Sequence, residues 1–217
     1  LYNIAHCFVV IIINNQLKHY GGDLAIASYG VINRIVFVFA MIIMGLNQGM
    51  QPITGYNYGA KQYDRMLRSF YLTCLYATGV MAIIFVLGEC FPRQITQIFT
   101  HDINLIEQTI VPMRIICSTM LIIGFQMVAG NFFTSIGMAG KSIFLSMTRQ
   151  VLFLIPLLLF VPLLFDNPIL GVWWAIPISD AMAAITAAIM IGIAIRRFRG
   201  LINEQEAWKV TCPPEPD

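Results

Sequence analysis

Charged side chains are scarce in this sequence. Asp, Glu, Lys and Arg together make up 11% of the 217 residues, whereas hydrophobic residues make up 58%. Soluble domains average about 25% charged and about 45–50% apolar residues. The mean hydropathy of +0.76 therefore indicates a chain whose surroundings are mostly lipid. Because the net charge is only +2, no broad basic surface is available for phosphates, and we expect no nucleic-acid partner.

Paired cysteines and catalytic motifs are also lacking. The five cysteines are scattered without a CxxC pair, and we interpret them as small apolar side chains. The sequence has no HExxH motif, no phosphate-binding glycine loop and no nucleophile elbow. We therefore predict that the protein is not an enzyme and has no metal site and no organic cofactor.

Long hydrophobic runs dominate the chain instead. A spanning helix needs about 20 mostly apolar residues. Six such runs follow one another with short connections, at residues 1–17, 24–50, 69–91, 105–133, 143–165 and 169–195, before a polar tail at 196–217. We predict an all-α integral membrane protein, a bundle of six transmembrane helices within 1–195. The chain begins inside an apolar run and without Met, which suggests a piece of a longer protein.

Basic residues are concentrated on one side of the predicted bundle. The connections after the second and fourth runs and the start of the tail carry Lys61, Arg65, Arg68, Lys141, Arg196, Arg197 and Arg199. The other connections are mainly acidic, with Asp23, Glu89, Asp102, Glu107 and Asp166. The positive-inside rule places the basic set in the cytoplasm, so we expect a multi-pass protein with a cytoplasmic C-terminal tail.

Polar side chains interrupt several of the apolar runs. Such groups are costly in lipid and usually face the interior of a bundle or a wet cavity. The candidates for such positions are Asn14, Asn15, Gln16, Asn33, Arg34, Gln126, Arg149 and Gln150.

Asp180 is the only carboxylate deep within a predicted span. Asp180 and Arg34 each lie about 12 residues, or roughly 18 Å of helix, past an outer connection, so they share a similar depth. Two interpretations remain open. Asp180 forms a structural pair with Arg34 or with helix-end donors, or it binds a proton or another cation as a coupling site.

The segment from Gly45 to Lys61 differs from an ordinary membrane helix. Its two small-xxx-small pairs, Gly45/Gly49 and Gly55/Gly59, permit close helix approach. Pro52 and Gly55 are expected to end or bend the helix. The polar side chains Asn47, Gln48, Gln51 and Asn57 are expected to satisfy the freed backbone groups, with Tyr56 and Tyr58 at the cytoplasmic interface.

This segment resembles a motif of the multidrug and toxic compound extrusion (MATE) transporters, of the form GxxQGxQPxxGYNYGAK. The motif residues, to which the resemblance assigns a structural or gating role, are Gly45, Gln48, Gly49, Gln51, Pro52, Gly55, Tyr56, Asn57, Tyr58 and Gly59. Further similarity follows at 13–17, 20–23, 32–35, 145–150 and 177–180, and the sequence looks closest to the bacterial DinF/MepA-like branches.

The resemblance implies a protein of twelve spans in two six-helix lobes, of which this chain is the C-terminal lobe. It implies export of cationic amphipathic drugs across the bacterial inner membrane, by alternating access in exchange for H⁺ or Na⁺. The expected partners are the drugs, the lipid bilayer and the N-terminal lobe of the same chain.

The coupling site of the resemblance matches this chain only in part. In DinF-like members the coupling aspartate lies in the first span, which this chain lacks. In NorM-like members an acidic residue lies in the seventh span. The corresponding region here, 11–17, offers Asn14, Asn15 and Gln16 but no carboxylate.

Two other functions remain open. One is a lipid-precursor flippase of the same superfamily, which a cavity rich in arginine would favour because its substrates are anionic. Within the predicted spans, however, only Arg34, Arg114 and Arg149 occur. The other is a half-size scaffold that forms a homodimer, which the sequence upstream of Leu1 would distinguish from a lobe.

Overall fold

The described part of the chain is helical, which confirms the predicted all-α class. A computed structural model describes residues 2–211. Its elements are α1 (Tyr2–Gly59), α2 (Tyr63–Cys90), α3 (Pro92–Phe99), α4 (Ile103–Cys117), α5 (Met120–Ser135), α6 (Ala139–Met147), a π-helix (Thr148–Leu154), α7 (Ile155–Leu164) and α8 (Pro168–Thr211). Helices suit lipid because they satisfy every backbone polar group within one segment.

Four continuous helical segments among the described residues are long and apolar enough to cross a membrane, at 6–59, 63–90, 139–164 and 168–205. The third of them consists of α6, the π-helix and α7. The bent pair of α4 and α5 adds a fifth candidate. The number is lower than six because α1, in which two helical parts meet at a kink, contains the described part of the predicted span 1–17 as well as the span 24–50. Six crossings therefore depend on whether α1 is one crossing or two.

Helix α1 is interrupted at Gly22, whose dihedral angles are φ 68° and ψ −165°. Glycine adopts such angles readily because it has no Cβ. In a straight helix His6 and Met44 would be about 57 Å apart. Instead, His6 lies 3.1 Å from Gln150, while Met44 lines one cavity together with the adjacent Arg149. We infer that the chain folds back at Gly22, within the polar connection that the sequence places between the first two spans.

The predicted fourth span is divided into α4 and α5, which are bent by 51° relative to each other. The break follows Cys117, whereas Pro112 lies inside α4. The side chains of Ser118 and Thr119 donate hydrogen bonds to backbone carbonyls of the preceding turn, at 2.7 Å and 3.2 Å. These bonds lower the cost of an interrupted helix at membrane depth.

The predicted fifth span contains a π-helix in its middle. The π-helix ends two residues before Pro156, which lacks an N–H group and would collide with the preceding turn of a regular α-helix. A widened turn relieves that collision, and such turns are frequent at functional sites. This π-helix carries Arg149 and Gln150.

Aromatic rings join four helices at one end of the bundle. Phe70 of α2 and Phe132 of α5 have centroids 4.8 Å apart, and Tyr63 stacks on Phe198 of α8 at 5.6 Å. Tyr58 of α1 packs edge-on against Phe198 at 6.0 Å. Phe198 is buried, and α8 continues without interruption past residue 195 to Thr211. The start of the polar tail is therefore part of the packed bundle.

Several glycines allow close contact between helices, and at two of them the neighbour within 3.0 Å is a backbone atom of another segment. A Cβ on Gly171 of α8 would lie 2.7 Å from Pro162 Cα of α7, and a Cβ on Gly55 would lie 3.0 Å from the Ser135 carbonyl oxygen. Within the described residues, the other glycines of the two predicted pairs have open space around that position: Gly45, Gly49 and Gly59. The predicted close approach thus occurs at Gly55 alone.

Candidate functional site: a polar cavity beside the π-helix

A cavity of about 310 Å³ lies between α1, α5, α6 and the π-helix. Its polar lining consists of Gln126, Asn131, Ser142, Ser146 and Arg149. Met44, Met127, Gly130 and Leu145 supply most of the remaining wall. The volume is at the lower end of the range of small-molecule sites, about 300–1,000 Å³.

Helical spacing brings these side chains to one wall. Ser142, Ser146 and Arg149 are four and three residues apart, so they share one face of the span that contains the π-helix. Gln126 and Gly130 are four residues apart on α5 and share another face. This periodicity is visible in the sequence, but only Gln126 and Arg149 are among the predicted candidates. Asn131 also belongs to the polar residues that interrupt the fourth predicted span, whereas Ser142 and Ser146 were missed.

The cavity wall is held by hydrogen bonds between helices. Gln51 Nε2 of α1 donates to Asn131 Oδ1 of α5 at 3.0 Å. Thr134 Oγ1 of α5 donates to Ser142 Oγ of α6 at 2.8 Å. Gln126 Oε1 is buried without a hydrogen-bond partner among the described residues. A buried acceptor of this kind is costly unless a ligand or water satisfies it.

An ion pair connects the cavity to α8. Arg149 Nε donates to Asp180 Oδ1 at 2.6 Å, and the two side chains are 28% and 2% exposed. Arg149 is therefore the partner of Asp180. Arg34, which was one of the partners considered for a structural pair, forms no ion pair within the described residues. The similar depth of Asp180 and Arg34 did not reveal which faces of their helices meet.

Gln150 links the π-helix to the first half of α1. Its buried amide nitrogen Nε2 lies 3.1 Å from His6 Nδ1. His6 is not among the predicted candidates, and the sequence separation of 144 between the two partners leaves no local sequence signal for this contact.

The remaining predicted polar residues lie outside this group. Asn14 and Gln16 are half-buried, and Asn15, Asn33 and Arg34 are exposed on α1. The structure thus separates the candidates into an interior group, Gln126, Arg149, Gln150 and Asp180, and a group along α1.

The glycine-rich motif is divided in the same way. Pro52 and Gly55 do not end the helix, because α1 continues to Gly59 and its non-helical residue is Gly22. A bend at Pro52 stays a prediction. Gly55, Gln51, Asn57 and Tyr58 face the bundle, where Asn57 Nδ2 donates to the Ile53 carbonyl at 2.7 Å. The other motif residues are exposed: Gly45, Gln48, Gly49, Pro52, Tyr56 and Gly59.

Among curated proteins, the chain is similar to the multidrug export protein MepA of Staphylococcus aureus. MepA of strain MSSA476 is 26% identical over 192 residues, which cover 88% of this chain and 41% of MepA. MepA of strain NCTC 8325 / PS 47 is 27% identical over 196 residues. The chain therefore spans about two fifths of the length of these relatives.

Solved structures of MATE transporters are also similar to this chain. The MATE multidrug transporter DinF-BH is 37% identical, with a TM-score of 0.75 over 88% of this chain and 42% of that protein. An outward-facing MATE family transporter of the MOP superfamily has a TM-score of 0.85 over 92% of this chain and 45% of its own, at 19% identity. The latter shows the shared fold alone.

The family model named MatE matches residues 1–160, which is most of the chain. The match includes the glycine-rich motif, the lining of the polar cavity and Arg149. Together with its apolar helices, this match shows that the chain belongs to the MATE family of multidrug efflux transporters, which are multi-pass membrane proteins.

Proposed function

We propose that this chain forms the C-terminal lobe of a secondary transporter that exports cationic amphipathic compounds in exchange for H⁺ or Na⁺. The similarity to MepA and DinF-BH supports this function, and both relatives are more than twice as long as the matched part. The N-terminal lobe, the drugs and the bilayer are the partners in this proposal, and the bacterial inner membrane is the location.

The exposed face of α1 is the observation that carries the proposal. That face, which we call the α1 face, carries polar residues, a glycine and exposed apolar side chains: Asn33, Arg34, Gln48, Gly49, Phe37, Met41 and Met44. An arginine at the centre of a spanning helix costs about 2.5–3.5 kcal/mol on insertion scales. Direct contact with lipid is therefore unfavourable at Arg34, and a second lobe across the α1 face would enclose this mixed polar and apolar surface.

Helix α2 provides the contrast that supports this assignment. Its exposed side chains include Leu75, Tyr76, Ile83 and Val86, which suit direct contact with acyl chains. We assign the apolar face of α2 to lipid and the α1 face to the other lobe. Alternating access then consists of two bodies that move relative to each other about the space between them.

The ion pair favours a structural role for Asp180. Its charge is compensated by the guanidinium of Arg149 at 2.6 Å, and that guanidinium would repel a second cation at the same carboxylate. In this proposal Asp180 fixes Arg149 at the wall of the cavity, and the coupling carboxylate lies in the N-terminal lobe. Coupling through Asp180 itself remains the alternative.

Efflux from proteoliposomes tests the function. We expect the full-length protein to transport a fluorescent lipophilic cation only when a proton or sodium gradient is imposed. We expect residues 1–217 alone to transport none, because one face of the pathway is then missing. Gradient-driven transport by residues 1–217 alone would contradict the proposal that the chain is one lobe.

A second candidate function rests on the same exposed face. If two copies of this chain covered each other's α1 faces, a half-size homodimer would result. The mass of the protein isolated from its native membrane separates the two: one chain of about twelve spans supports the exporter, and a six-span dimer supports the alternative. A flippase for anionic lipid precursors is less well supported, because Asp180 compensates the charge of Arg149.

A further inference from the structure

A groove of about 530 Å³ lies between the beginning of α2 and the last turns of α8. It shares no lining residue with the polar cavity. Arg68 of α2 and Arg199 of α8 supply its positive charge, and Leu72, Leu75 and Ile202 supply apolar wall. Asp64 also lines the groove.

The polar and apolar parts of the groove differ in depth. Leu75 lies two helical turns beyond Arg68, about 10 Å further along α2. Leu72 and Leu75 are 45% and 67% exposed, on the face of α2 that we assign to lipid. The groove therefore runs from an arginine-lined entrance at the end of the bundle into the hydrocarbon region.

The two arginines lack carboxylate partners within the described residues. Among the side chains that the structure describes, the ion pairs are Arg93–Glu107 and Arg149–Asp180. Asp64 lines the same groove, yet it does not approach either Arg68 or Arg199 within the 4.0 Å that defines an ion pair. Two guanidinium groups on neighbouring helices thus present donors at the membrane surface.

We propose that this groove binds one anionic phospholipid. The phosphate lies between Arg68 and Arg199, because guanidinium groups bind phosphate oxygens in a fork of charge-assisted hydrogen bonds. The acyl chains lie along Leu72, Leu75 and Ile202. The proposal does not depend on the transport function, and it names the part of the bundle that anionic lipid would hold together: the contact between α2 and α8.

Native mass spectrometry of the delipidated full-length protein tests this site. Phosphatidylglycerol and phosphatidylcholine with identical acyl chains are titrated separately. The thermal stabilisation by inorganic phosphate is then compared with the thermal stabilisation by phosphatidylglycerol. We expect the first phosphatidylglycerol to bind more tightly than phosphatidylcholine, and phosphate to give no stabilisation. Equal binding of both lipids, or equal stabilisation by free phosphate, would overturn the lipid site.

Matched variants locate the site. The double variant Arg68→Gln/Arg199→Gln should weaken binding of the first phosphatidylglycerol at least about 30-fold, because it removes two charge-assisted contacts to the phosphate. The control Arg65→Gln/Arg197→Gln removes the same charge from exposed positions that do not line the groove, and it should weaken binding less than about threefold, because only screened long-range attraction is lost. Similar losses of affinity in both double variants would mean that the lipid is attracted diffusely by basic residues, and they would overturn the proposed site in the groove.

The Asp64→Asn variant should change the affinity for phosphatidylglycerol in the direction opposite to the arginine variants. Asp64 repels a phosphate in the groove, so its neutralisation should tighten binding of phosphatidylglycerol several-fold and leave phosphatidylcholine unchanged. An unchanged or weaker affinity for phosphatidylglycerol would contradict a phosphate at this end of the groove.

Discussion

Two arginines within the membrane-spanning helices have opposite surroundings. Arg149 is 28% exposed and pairs with a nearly buried carboxylate at 2.6 Å. Arg34 is exposed on α1 and forms no ion pair within the described residues. The interior arginine thus has its counter-ion within the lobe, although Oδ2 of Asp180 has no hydrogen-bond partner among the described residues, whereas the exposed arginine has no counter-ion there. This difference agrees with the proposal that the lobe keeps its own packing while its α1 face contacts a second lobe.

Removal of the interior carboxylate should have the largest effect. Asp180→Leu leaves Arg149 without its counter-ion, and loss of one partner of a buried pair costs about 3–5 kcal/mol. Since Arg149 retains some exposure, we expect the lower end of that range, measured as a drop in the melting temperature of the full-length protein. The control is Asp23→Leu at an exposed position beside Gly22, and equal melting of both variants would contradict the interior role.

A close contact between helices should be the next most sensitive position. Gly171→Ala places a Cβ against the backbone of Pro162, which cannot move away as a flexible side chain can. We expect α7 and α8 to separate slightly, at a cost of about 1–3 kcal/mol in thermal unfolding. Gly79→Ala is the control, because nothing lies within 4 Å of its Cβ position. Indistinguishable stabilities would refute the close packing.

A bulky side chain on the α1 face should reduce transport more than it reduces the stability of the lobe. Gly49 and Gly79 both have open space within the described structure, but Gly49 lies on the α1 face and Gly79 on α2. We expect Gly49→Leu to reduce efflux by the full-length protein at least tenfold, because it obstructs the second lobe. Gly79→Leu should leave efflux unchanged. Equal efflux by the two variants would contradict the assignment of the α1 face to the second lobe and of the α2 face to lipid.

A side chain placed in the polar cavity should have the smallest effect on stability. Gly130 lines the cavity, and a Cβ there has no neighbour within 4 Å. Gly130→Leu should therefore change unfolding by less than about 0.5 kcal/mol while it raises the KM for a cationic dye. Gly192→Leu, on α8 outside the cavity lining, is the matched control. An unchanged KM in Gly130→Leu would mean that the cavity does not hold cargo.

Composition and periodicity predicted the helical membrane fold, because the length of an apolar run is set by the bilayer. They did not predict the break after Cys117 or the π-helix, which depend on the side chains of Ser118 and Thr119 and on Pro156. They also assigned Phe198 to the tail. The basic residues around Phe198 marked a membrane boundary, but α8 extends through it and the ring is held by aromatic contacts.

The candidate site was predicted by residue type but not by pairing. Arg149, Gln126 and Asp180 were recognised as costly polar groups in apolar runs, and all three lie in or beside the interior site. Depth along a helix suggested Arg34 as the partner of Asp180. Orientation about the helix axis decided otherwise, and the local π-helix that sets the orientation of Arg149 is not encoded in a simple 3.6-residue period.

The double variant Arg149→Gln/Asp180→Asn tests the central claim most directly. It removes both charges together, so no unpaired buried charge remains. If the pair is structural and the coupling carboxylate lies in the other lobe, the full-length double variant should recover most of the stability that single substitutions lose, and it should retain gradient-driven efflux. A folded, stable double variant whose efflux no longer responds to either a proton or a sodium gradient would contradict this account and assign coupling to the Arg149–Asp180 pair.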